Sequence, residues 1–294
     1  MGTTTLETAT DPDLAAPKEP LSKLGQLTFN CVSVLSAYAT FLVLRRQLEW
    51  ETAAGLLGVV IAHELGHLAV ARCQGVPSTW PVFIPNVGAF VLTLRPFKDP
   101  SEEAYVALGG PVAGLAATAI LHAIGVWTDS PPLLGITVFC YAIHLINMIP
   151  AGILDGGKIA ELVCKPLCVP GFLGLLWVVY EFSSGNWWEI LVALLALWPA
   201  AQKTLTVLNQ WRQKNTSAPF TQCRSDLHRV AGLSIGVVLF ALVGLCTARY
   251  QRGEVIFSHW LGALRSGPET SDLLPAYIQV DSATGENPTP PDGL

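Results

Sequence analysis

His63-Glu64-Leu65-Gly66-His67 is the stretch of this chain whose residue types and spacing could do chemistry. A helix turns about 100° per residue, so side chains at i and i+4 project about 40° apart, one turn above each other. On a helix, His63 and His67 could share one zinc ion, and Glu64 beside them could take a proton from a water at the metal. The five residues lie inside the apolar run 52–73, which is long enough to cross a bilayer. Imidazoles and a carboxylate are costly in hydrocarbon, so they are expected to face protein or a water-filled cavity and to be functional.

Catalytic zinc takes three protein ligands and keeps one position open. The third ligand must come from another part of the chain, and the end of a later apolar run offers one. There Asn147-Met148-Ile149-Pro150 leads into Ala151-Gly152-Ile153-Leu154-Asp155-Gly156-Gly157. Pro150 disfavours a continuous helix and the glycines permit tight turns, so Asp155 is expected on a loosened segment near His67. Taken alone, Asp155 would read as a helix cap or a solvated turn residue; with the histidine pair upstream, it reads as the ligand. Glu161 is the alternative, in a membrane zinc protease whose third ligand is a downstream glutamate. A transporter or scaffold with a metal site is the non-enzymatic alternative, although it would have no use for a general base at Glu64.

The elements that must position these residues are membrane elements. Of 294 residues, 51% are hydrophobic and 13% charged, as in a polytopic membrane protein. The net charge is −5, and no basic stretch interleaved with aromatics points to nucleic acid. The seven cysteines lack paired Cys-x-x-Cys spacing and read as reduced small hydrophobes. No secretory signal is expected, because the first apolar run follows a polar, acidic head and lacks a clear small-residue cleavage site. Apolar runs fall at 27–44, 52–73, 104–127, 133–150 and 230–248. Two shorter ones, 172–182 and 187–198, fit either two tilted spans or a re-entrant pair. The expected fold is an all-α polytopic membrane protein, a bundle of about six to seven transmembrane helices with a small re-entrant β-hairpin. Its parts are a disordered cytoplasmic head (1–22), a membrane domain (23–248, catalytic core 52–165) and a polar tail (249–294).

The hairpin is expected between Val82 and Leu94, where two prolines and the Asn86-Val87-Gly88 turn signal interrupt an apolar, β-rich stretch. Lipid would leave its backbone groups unsatisfied, so it must lie against the bundle or line a wet cavity. Gly110-Pro111-x-x-Gly114 suits close helix packing. With the N-terminus inside and seven passes, twelve Lys and Arg residues fall on the cytoplasmic side and five outside. The histidine pair then lies in the cytoplasmic half of its helix, and the expected location is a bacterial cytoplasmic membrane.

His63-Glu64-x-x-His67 followed by Asn147-x-x-Pro150-x4-Asp155-Gly156 resembles the two-part signature of the site-2 protease family of intramembrane zinc metalloproteases. Phe83-Ile84-Pro85 and Gly88-Ala89-Phe90 look like that family's membrane re-entrant β-loop. The resemblance implies one zinc per chain, held by His63, His67 and Asp155. It implies that Glu64 is the general base and that Asn147 donates a hydrogen bond to the oxyanion; interhelical packing is the other reading of Asn147. It also implies a membrane-protein substrate in the lipid bilayer, cleaved within or near a transmembrane segment. The substrate would be bound as a strand along Phe83, Ile84, Gly88, Ala89, Phe90 and Val91. His144 reads as packing or as support for a ligand; His122, His228 and His259 look unrelated.

Overall fold

The computed structural model describes residues 23–85, 88–182, 187–212 and 224–253. The head 1–22 and the tail beyond 253 lie outside them. Among the described residues the chain is helical, with one small hairpin. In order these are α1 (Lys23–Leu44), α2 (Trp50–Cys73), β1 (Val82–Ile84), β2 (Gly88–Phe90), α3 (Pro100–Trp127) and α4 (Pro131–Asn147), then α5 (Asp155–Val163), α6 (Cys168–Phe182), α7 (Trp187–Arg212) and α8 (Arg224–Ala248). A single π-helical turn, Arg249–Gly253, follows α8.

Among the described residues, four stretches are long and apolar enough to cross a membrane: Leu24–Leu44, Trp50–Cys73, Pro100–Trp127 and Asp226–Gln251. Helix α4 is apolar but has 17 residues, about 25 Å at 1.5 Å per residue, and α6 has 15. The six to seven spans expected from the sequence would require α4, α6 and α7 as well. Prolines shorten α4: it starts at Pro131, and Pro150 follows its end.

Helix α3 is the element on which α2, α4, α5 and α8 pack. Its start is fixed by Asp99, whose side chain accepts a hydrogen bond from the Glu102 N–H at 2.9 Å, with Pro100 as the first helical residue. Glu102 reaches back to the Lys98 N–H at 2.7 Å and takes a two-pronged contact from Arg95, at 2.6 and 2.8 Å. The return limb of the hairpin is thereby tied to the first turn of α3.

Glycines bring α2 and α3 into backbone contact. A Cβ at Gly66 would collide with the Gly109 carbonyl, and one at Gly109 would stand 2.6 Å from the Gly66 carbonyl oxygen. A helical glycine costs about 1 kcal/mol relative to alanine, and here it permits an approach no side chain allows. The apolar core unites α3, α4, α5 and α8 through Leu108, Leu115, Val138, Tyr141, Ile159 and Val237. Helices α6 and α7 pack on each other and hold the 148–154 segment through a smaller cluster that includes Ala151, Leu175 and Ala200.

Candidate metal centre and active site

His63, Glu64 and His67 sit in the second half of α2, all buried. His67 presses on Gly110 of α3, where a Cβ would overlap the imidazole. Its Nδ1–H donates to the Val106 carbonyl at 2.7 Å. That bond fixes the tautomer and leaves Nε2 as a bare lone pair.

Asp155 arrives from the far side. The chain leaves α4 at Asn147, turns through Gly152 at φ +54°, and enters α5 with Asp155 as its first helical residue. The loosened segment expected to carry Asp155 is real but ends one residue earlier; the aspartate itself is held at a helix start. Gly156 has no room for a Cβ because the Met148 carbonyl stands against it, so the two limbs of the turn close tightly.

The three side chains meet. His67 Nε2 lies 3.1 Å from His63 Nε2, and Asp155 Oδ2 lies 3.2 Å from His63 Nε2 and 3.4 Å from His67 Nε2. Among the described residues, these three form the group of potential ligands that could hold a metal ion. Tetrahedral zinc with bonds of about 2.0–2.1 Å separates its ligand atoms by about 3.3–3.4 Å, so the triangle has the right edge. Its chemistry also fits. Lone pairs of His67 and an aspartate converging in a buried space repel unless a cation or proton lies between them.

A cavity of about 660 Å³ opens on this triangle. Glu64, Asn147 and Lys158 line it beside the ligand atoms. The Asn147 amide nitrogen lies 3.4 Å from His63 Nε2, and Lys158 Nζ donates to Asp155 Oδ1 at 3.4 Å. Glu161 instead pairs with Lys203 at 2.7 Å and lines a separate, smaller cavity. That position removes the geometric basis for a glutamate third ligand.

The hairpin lies where the sequence puts it, with Val82 opposite Phe90, Phe83 opposite Ala89 and Ile84 opposite Gly88. Only β2 and its continuation reach the cavity, through Gly88, Ala89, Phe90, Val91 and Thr93. Phe83 is buried, and its N–H donates to Ser36 Oγ of α1 at 3.1 Å. Ile84 is 41% exposed and does not line the cavity. Phe83 and Ile84, read from the sequence as substrate contacts, thus stand apart from the other four, because α1 takes up the β1 edge.

The Ser36 bond also settles which backbone groups face outward. Facing residues in an antiparallel pair alternate between hydrogen-bonded and non-bonded, so Phe83 and Ala89 are a non-bonded pair. Ala89 then turns its main-chain groups away from β1. Leu92 faces inward, accepting from the Thr79 N–H at 2.9 Å and donating to Thr79 Oγ1 at 3.3 Å. Ala89, Val91 and Thr93 carry the outward edge, on the side that lines the cavity.

The Val106 carbonyl, Lys158 and Thr118 are parts of the surroundings that sequence reasoning missed. Lys158 could have been found from its i+3 spacing to Asp155. A main-chain acceptor such as Val106 leaves no trace in the sequence.

A buried His-His-Asp triangle that could hold a metal ion thus lies beside a glutamate on a helix long and apolar enough to cross a membrane. Residues 51–131, which include His63-Glu64-x-x-His67 and end before Asn147, match the model of peptidase family M50. The chain is 28% identical over 156 residues to "Probable zinc metalloprotease EGY1, chloroplastic" of Arabidopsis thaliana, covering 37% of this chain and 28% of that one. It is 24% identical over 211 residues to "Zinc metalloprotease MJ0392" of Methanocaldococcus jannaschii, covering 66% of this chain and 61% of that one. The chain thus spans less than two thirds of these relatives. No solved structure matches the chain at a significant level.

Proposed function

We propose that this protein is an intramembrane zinc metalloprotease that hydrolyses a peptide bond within or near a transmembrane segment of a membrane protein, as in regulated intramembrane proteolysis. The observation that carries the reading is the triangle of His63 Nε2, His67 Nε2 and Asp155 Oδ2 at zinc-compatible edges, beside Glu64 in one cavity. One zinc per chain, held by these three, would supply Lewis acidity that acidifies a water and polarises a carbonyl. Glu64 takes the proton of the attacking water and returns it to the leaving amine. Asn147, at the cavity wall beside His63, donates its amide to the oxyanion. Lys158 holds Asp155 Oδ1, which leaves Oδ2 to face the histidines. The excess of basic residues in the expected inner loops supports a centre in the cytoplasmic half of the bilayer.

The test uses the purified full chain in detergent, with a transmembrane-peptide reporter. It is expected to contain about one zinc per chain. A chelator is expected to abolish cleavage and added zinc to restore it. Cleavage that persists in metal-free protein would refute the reading.

A transmembrane helix hides its peptide bonds in its own hydrogen bonds and must unwind before water can attack. The outward edge of Ala89, Val91 and Thr93 offers such a strand a partner for main-chain pairing. Val91→Pro removes one outward donor at an edge position where proline is tolerated. It is expected to lower kcat/KM on the reporter about tenfold, since one hydrogen bond is worth about 1–1.5 kcal/mol, and to leave zinc bound. Val91→Ala, which keeps the donor, is the control. A zinc-replete Val91→Pro enzyme cleaving at the wild-type rate would mean that substrate is held elsewhere.

A further inference from the structure

His67 has a main-chain partner that sets its ring; His63 has none. The buried Nδ1 of His63 makes no hydrogen bond. What lies against the His63 ring is another imidazole, His144 of α4, nearly parallel at 14° with centroids 5.3 Å apart. The His67 ring meets His63 edge-on, at 83° and 4.7 Å. Offset-parallel and edge-to-face contacts at these distances are the favourable arrangements of flat rings.

His144 is itself held. It is 2% exposed, and its Nε2 lies 3.3 Å from Thr118 Oγ1 of α3. The Thr118 hydroxyl gives its only proton to the Gly114 carbonyl at 2.8 Å, so toward His144 it can only accept. His144 is therefore the Nε2–H donor, and its ring cannot turn without losing that bond. Gly114 makes the space: a Cβ there would overlap the His144 ring and stand 3.1 Å from the His63 Cβ. The sequence already marked Gly114 as a packing glycine; its structural partners are these two imidazoles.

We infer that His144 is a positioning residue for the metal centre, its flat face holding the His63 ring in the plane from which Nε2 meets His67 Nε2 and Asp155 Oδ2. The inference rests on the proposed zinc site. In this role His144 does for His63 what the Val106 carbonyl does for His67. It lines the same cavity but is not one of the three potential ligands.

The shape of the side chain separates this role from space filling. His144→Phe keeps a flat ring, whereas His144→Leu fills the volume without one. The experiment measures zinc affinity and the visible absorption of the cobalt-substituted protein for wild type, His144→Phe and His144→Leu. Supporting partners of metal ligands typically cost 10–100-fold in affinity when lost. His144→Leu is expected to bind zinc 10–100-fold more weakly with a shifted cobalt spectrum, and His144→Phe to stay within about threefold of wild type, below that range. Wild-type affinity and spectrum in His144→Leu would overturn the inference, as would equal losses in both variants. Wild-type protein that binds neither metal would instead fail the zinc reading itself, as would His63→Ala that binds both metals at wild-type strength.

Discussion

Glu64→Gln is expected to keep its zinc and its fold and to lose proteolysis by at least ~100-fold, the usual scale of general-base help. The substitution preserves shape and hydrogen-bonding reach while removing the basic lone pair. Glu64 is buried at the cavity wall, one residue from His63 on the same helix, and lies outside the ligand triangle. Zinc content and cleavage of the transmembrane reporter should therefore separate. Undiminished turnover in a zinc-loaded Glu64→Gln protein would remove the proposed base. Loss of zinc would recast Glu64 as part of the metal site.

Asp155→Ala should show the opposite pattern, losing metal first and activity as a consequence. Its Oδ2 closes the triangle at 3.2 and 3.4 Å, and two imidazoles alone make a poor zinc site. The expected loss of zinc affinity is at least about 100-fold, at or beyond the upper end for a mere supporting partner. Glu161→Ala is the matched control, since Glu161 is engaged by Lys203 and its removal is expected to leave zinc in place. Full occupancy in Asp155→Ala with loss in Glu161→Ala would reverse the ligand assignment. Asp155 is buried and also contacts Lys158, so Asp155→Asn serves as a second variant that keeps the volume.

Much of the site could be read directly. The i, i+4 histidine pair with its glutamate specifies one helical face, because helix geometry is local. The break after Asn147 was legible from Pro150 and the glycines, and the Asn-x-x-Pro context pointed to Asp155. The turn signal at 86–88 gave the hairpin its place. The count of spans was less legible. Hydropathy finds apolar runs but not where a helix stops, and α4 with 17 residues and α6 with 15 lie at and below the low end of the length that crosses a bilayer.

The sequence by itself determined the residue types of the candidate ligands and base, their helical spacing and the apolar medium around them. Each follows from nearest neighbours along the chain. Local context favoured Asp155 over Glu161, but only the tertiary structure brings Asp155 Oδ2 to the histidines and sets Glu161 against Lys203. It also decided that β2 rather than β1 borders the cavity, since a hydroxyl on α1 occupies the β1 edge. The support of the two histidines is likewise tertiary. Val106 offers a carbonyl that every residue has, and His144 offers a ring whose value depends on Gly114 and Thr118 of another helix. Contacts between separate helices are set by which surfaces approach closely enough, and that distance is written in the packing of the whole bundle rather than in any one segment.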